Sequence, residues 1–251
     1  MLFRSANANE TAIIAFRSTD GGATWAATAT ITTVSTHRVA GSLRSGPLPS
    51  AEIDGAGKVY MAWQDCRFRR GCPSNDIVMT TSSDGATWSA VQRVPIDAVT
   101  SKAEYFIPGL AVDRSSSGST ARLALAYYFY PIAKCSSSTC QLSVGFISSQ
   151  NGGGAWSAAT QLAGPMSLAW LPSTSQGVMV GDYISTSFAG GTAHPFFVNA
   201  QAKSGTTFNQ ALVTPSTGIS VAVAAAAPSG LDQAVFSSAD HAAAPSILRR
   251  Q

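Results

Sequence analysis

Four cysteines fall as two close pairs, Cys66 with Cys72 and Cys135 with Cys140. Neither pair has the C-x-x-C spacing or the neighbouring histidines of a zinc site, so disulfides that close short loops are the expected chemistry. Four cysteines still allow three connectivities. The first pair encloses Arg67, Arg69 and Arg70. Guanidinium groups so bunched either grip a carboxylate bidentately or solvate a hairpin tip, and solvation weighs more. Tyr127, Tyr128 and Tyr130 run up to the second pair, where packing between strands outweighs stacking on a sugar. Asp182 and Tyr183 place a carboxylate beside a phenol. As a turn residue and a core aromatic they would have no chemistry, and that alternative stays open. His37, His194 and His241 share no spacing with carboxylates or cysteines, and no nucleophile-elbow motif accompanies a serine, so the histidines carry no expected role.

The rest of the chain limits what these groups can serve. Its 251 residues suffice for a sizeable core in one domain or two small ones. Only 12% of them are charged while 45% are hydrophobic, so hydroxyl groups must solubilise the surface. Sixteen basic and thirteen acidic residues leave a net charge of +3 spread mostly singly, which excludes a nucleic-acid footprint. No apolar run reaches the roughly 18 residues that span a bilayer. Met1 to Arg4 lack the apolar stretch of a signal peptide, whereas short-loop disulfides suit an oxidising compartment. The expectation is a secreted protein whose signal peptide is not in this chain.

Repeats show what must position the candidates. The segment Ser18–Trp25 (STDGGATW) recurs as Ser82–Trp88 (SSDGATW), and in decayed form as Ser148–Trp156. The triplets Pro47-Leu48-Pro49, Phe106-Ile107-Pro108 and Trp170-Leu171-Pro172 repeat out of phase with it. Cys72 and Cys140 each precede a repeat tryptophan by 16 residues, which favours Cys66–Cys72 and Cys135–Cys140 as equivalent bridges. Within one period, residues 51–54, 58–63, 76–81 and 91–94 read as strands. Four short strands in about 60 residues make the blade of a β-propeller, and no helical stripe competes.

The S-x-D-x-G-x-T-W segments resemble the Asp box of sialidase-like (BNR repeat) β-propellers, in which the box turns between the third and fourth strands of a blade. The resemblance implies an all-β, sialidase-like β-propeller with blades at about 1–35, 44–97, 102–163 and 165–214. That is about three and a half of six, with an Ala-rich tail over 215–251. It also implies a site on the face opposite the boxes, where strand parity gathers Arg44, Asp65, Arg67, Glu104, Tyr105, Trp170, Asp182 and Tyr183. An exo-α-sialidase needs arginines for the substrate carboxylate and a tyrosine nucleophile, because a carboxylate attacking an anionic sugar is repelled. Carried onto this chain, Arg44 clamps the substrate, Tyr183 attacks, Glu104 deprotonates it, and Asp182 or Asp65 is the acid/base, with Arg67 in support. The family's R-I-P arginine is absent, since the three triplets begin with Pro47, Phe106 and Trp170. Expected partners are sialylated or other glycans, with no cofactor, metal or nucleic acid, and a monomer in the complete protein. The alternatives are a non-catalytic glycan- or protein-binding propeller and an inactive gene fragment.

Overall fold

A computed structural model describes residues 11–221, and residues 2–5 as backbone only. The tail over 222–251 lies outside the described residues, as do 1 and 6–10. Three-stranded and four-stranded antiparallel sheets follow one another along the chain. The first is β1 (Leu2–Ser5), β2 (Ala12–Phe16) and β3 (Ala29–Thr33). The second is β4 (Ser50–Ile53), β5 (Val59–Asp65), β6 (Asp76–Ser82) and β7 (Gln92–Arg93). The third is β8 (Glu104–Val112), β9 (Leu123–Tyr130), β10 (Gln141–Ser149) and β11 (Thr160–Ser167). A short hairpin, β12 (Ser173–Thr174) with β13 (Gly177–Val178), leads to β14 (Ser185–Ala189), β15 (Thr192–Ser204), β16 (Thr207–Val213) and β17 (Ile219–Ser220). The architecture is an all-β one of propeller blades, the first three up-and-down meanders and the fourth with β17 returning to pair with β15; no helix among the described residues is long and apolar enough to cross a membrane.

Adjacent sheets bury their faces against each other in chain order. Ile13 meets Met61, Trp63 and Val78. Tyr60, Ile77 and Met79 meet Tyr105, Leu123 and Tyr127. Phe106, Tyr128 and Leu142 meet Ile184 and Phe197. The first strands of successive blades are stitched by side chains: Leu110 N–H donates to Ser50 Oγ at 3.0 Å, and Thr186 Oγ donates to the Gly109 carbonyl at 2.9 Å. Gly109 is required there, since a Cβ would lie 2.7 Å from the Ile184 carbonyl oxygen.

The repeated turns join β2 to β3, β6 to β7 and β10 to β11, the last two strands of each of the first three sheets. Asp84 Oδ1 accepts the backbone N–H groups of Ala86 and Thr87 at 2.8 and 2.7 Å. Asn151 keeps the acceptor role in the decayed copy, taking Ala155 N–H at 2.7 Å. The Thr24 hydroxyl and N–H bind Asp20, and the Thr87 and Ala86 N–H groups bind Asp84, holding both carboxyls well below the usual range. Trp88 and Trp156 pack against the cores, but Trp25 stays half exposed, with its ring edge-on to Phe16. The triplets are not equivalent in place. Pro47–Pro49 precedes β4, Phe106–Pro108 lies inside β8, and Trp170 ends a 3-10 turn before β12.

Candidate functional site

Strand register collects the candidates at the end opposite the repeated turns. Asp65 closes β5 and pairs in register with Asp76, which opens β6. Glu104 opens β8 across from Tyr130 at the close of β9. Both disulfides form at this end, Cys66–Cys72 and Cys135–Cys140, with Cα atoms 5.0 and 4.9 Å apart.

Arg44 and Asp182 meet from distant stretches of chain. Arg44 N–H donates to the Val178 carbonyl at 2.8 Å, which places its guanidinium fork on Asp182, Nε to Oδ1 and Nη2 to Oδ2, both at 2.7 Å. This pair is 33% and 25% exposed, and the adjacent Tyr183 is 67% exposed, so all three face solvent. Arg44 therefore spends its bidentate donors on Asp182 in this state.

Asp65 and Arg67 form a second fork. Arg67 Nε and Nη2 reach Asp65 Oδ1 and Oδ2 at 2.9 and 2.6 Å, and the guanidinium lies 5.9 Å from the Trp63 ring centre. Asp65 itself is buried and also accepts from Ser35 N–H and Trp63 Nε1, both at 3.2 Å.

Glu104 belongs to a third cluster that the spacing did not disclose. Its Oε1 lies 2.7 Å from His37 Nδ1 and accepts Asn75 Nδ2–H at 2.9 Å. Asn75 also receives His37 N–H at 2.8 Å and donates to the His37 carbonyl at 2.7 Å, so its amide fixes the histidine backbone. Burial pushes the Glu104 carboxyl up, and the bonds from His37 and Asn75 oppose that. The second carboxylate oxygen, Oε2, is buried with no hydrogen-bond partner among the described residues. No described hydrogen bond joins Glu104 to Tyr183, so the expected phenol–carboxylate couple is replaced by an imidazole–carboxylate one.

Arg69 departs from the hairpin-tip expectation altogether. Its side chain is 1% exposed and donates to Asp76 at 2.7 Å, while Arg93 reaches Asp76 and Asp97 at 2.8 and 2.6 Å. Tyr105 donates to Asp97 at 2.6 Å, and burial together with this carboxylate raises the phenol far above its ordinary range. Arg67 and Arg70 are both exposed, Arg67 while its guanidinium is forked on Asp65. Tyr127, Tyr128 and Tyr130 are buried between sheets. Nothing in local spacing points to His37, because its partner Glu104 is 67 residues away. No group of three or more His, Cys, Asp or Glu suited to a metal occurs among the described residues.

No family profile matches the sequence, and no curated protein matches it. Among solved structures, the chain is similar to a GH93 α-L-arabinofuranosidase of Fusarium graminearum in complex with arabinobiose, at 15% identity over 83% of this chain and 56% of that one, with a TM-score of 0.44. A structure of the Fusarium graminearum α-L-arabinofuranosidase with an iminosugar inhibitor is similar at 14% identity, over 82% and 68% of the two chains, with a TM-score of 0.42. A PL25 ulvan lyase is similar at 15% identity over 68% and 44%, with a TM-score of 0.35. The chain thus spans little more than half the length of the first of these structures.

Proposed function

We propose that this chain belongs to a secreted propeller that acts on glycans as a glycoside hydrolase, through the end that carries Arg44, Asp182 and Tyr183. The observation behind it is the division of that end into an exposed layer and a buried one. Arg44, Asp182 and Tyr183 offer charged hydrogen-bonding groups and an aromatic ring to solvent, and Asp65 and Glu104 are buried at the same end, paired with Arg67 and His37. Sugars are held by such combinations of polar groups and ring faces, and their hydrolysis uses paired carboxyl groups.

The exo-α-sialidase form of this proposal gives Arg44 the substrate carboxylate and Tyr183 the attack. It requires a sialylated ligand to take the Arg44 fork from Asp182. A neutral sugar requires no such exchange. Fluorogenic α-sialosides and α-L-arabinofuranosides, the latter chosen because two similar solved structures carry that name, test both forms. Turnover of either that falls at least tenfold in Tyr183→Phe or Arg44→Ala is the expected result. Absence of turnover together with absence of binding on a glycan array overturns the proposal.

A further inference from the structure

Glu104 cannot itself meet a ligand, because its side chain is wholly buried. The exposed member of its cluster is His37, whose side chain is 30% exposed. Three features make that ring more than a surface histidine. Nδ1 is fixed by a buried carboxylate at 2.7 Å. The backbone on both sides of the ring, N–H and carbonyl, is clamped by the buried Asn75 amide. Nε2 forms no hydrogen bond with any described group and is not among the buried unpartnered atoms, so it is left to solvent. A carboxylate behind Nδ1 fixes the tautomer and orientation of an imidazole and leaves Nε2 to exchange protons. The cluster lies at the first residue of an inner strand, at the same end as Arg44 and Asp182.

We propose that His37 is the proton-exchanging group of this end, with Glu104 and Asn75 as positioning residues behind it; its use on glycans rests on the function proposed above. In hydrolysis, the imidazolium gives its Nε2 proton to the departing oxygen as the glycosidic C–O bond breaks. The same nitrogen then takes back a proton from the water whose oxygen bonds to the sugar carbon. The protein ends with the proton it began with, and one water is consumed.

Two measurements separate this proposal from the function it rests on. Diethyl pyrocarbonate acylates accessible neutral imidazole nitrogen, and peptide mapping reports each histidine separately. His37 should react at least several-fold faster than His194, whose Nε2 lies 3.2 Å from the Thr192 hydroxyl, and Glu104→Gln should erase most of that advantage. Equal reactivity of the two histidines, or an advantage that survives Glu104→Gln, overturns the orienting role whether or not any sugar is cleaved. On whichever fluorogenic glycoside is turned over, His37→Ala should lose about 100-fold in kcat, and added imidazole should restore part of it. Full activity in His37→Ala, or a loss that imidazole leaves untouched, overturns the proton-exchanging role. Fast acylation without turnover of any glycoside would count against the glycan reading and leave the oriented imidazole standing.

Discussion

The two complete blades share a plan and differ in what they do with it. Each runs four strands, turns at one end through a Ser-anchored loop and carries a short disulfide at the other. The blade of β4–β7 fills its disulfide end with buried charge, Arg69 and Arg93 against Asp76 and Asp97. The blade of β8–β11 fills the same region with hydroxyl groups; Ser136 and Thr139 bond each other at 3.0 Å within the Cys135–Cys140 loop. One bridge thus pins a salt-bridged core, and the other pins a neutral surface loop. A covalent staple of one design accommodates either, because loop closure does not depend on what the loop contains.

The largest effect should come from Arg69→Ala, which strips Asp76 and Asp97 of a buried partner and leaves Arg93 alone to compensate. A loss of about 3 kcal/mol in urea unfolding is expected, since an uncompensated buried charge costs more than its pair contributed. Removing the bridges comes next. Serine in place of Cys135 and Cys140 should cost about 2 kcal/mol, the value for a loop of that size, and serine in place of Cys66 and Cys72 should cost more, because Arg69 loosens with it. Equal losses would show the two loops to be interchangeable. Glu104→Gln should act through pH. The Glu104 carboxyl is raised by burial, so its ionisation costs the folded state stability as pH climbs through and above the ordinary carboxylate range. The variant should therefore gain on the parent in thermal melts as pH rises above the ordinary carboxylate range, and a constant difference would contradict the cause given. The smallest change should follow Asn151→Asp, which restores to the second blade the carboxylate that Asp84 supplies to the first. A rise in Tm of about 1 °C is expected.

The blade strands were legible because their signals are local. Residues 51–54, 58–63, 76–81 and 91–94 anticipate β4 to β7 closely, since alternation and an Asp-Gly turn depend only on neighbours in sequence. The repeat spacing likewise announced both disulfides. The site was legible only in outline. Parity placed Arg44, Asp65, Glu104 and Asp182 at one end, but which carboxylate faces which cation is decided by packing between blades. Arg69 reads as a solvated loop residue until Asp97 and Ser101 fold over it from the following connection. His37 reads as an isolated histidine because Asn75 and Glu104 reach it from two other elements.

The separation of the repeated turns from the candidate site offers a practical handle. β6 is 7 residues long, so its two ends lie about 20 Å apart. Ala86 stands exposed in the turn at the far end, and only its backbone N–H is used, by Asp84. A dye or surface linker attached at position 86 would hold the molecule by its back. Glycan arrays and immobilised-protein binding experiments done that way would present Arg44, Tyr183 and His37 outward in every copy.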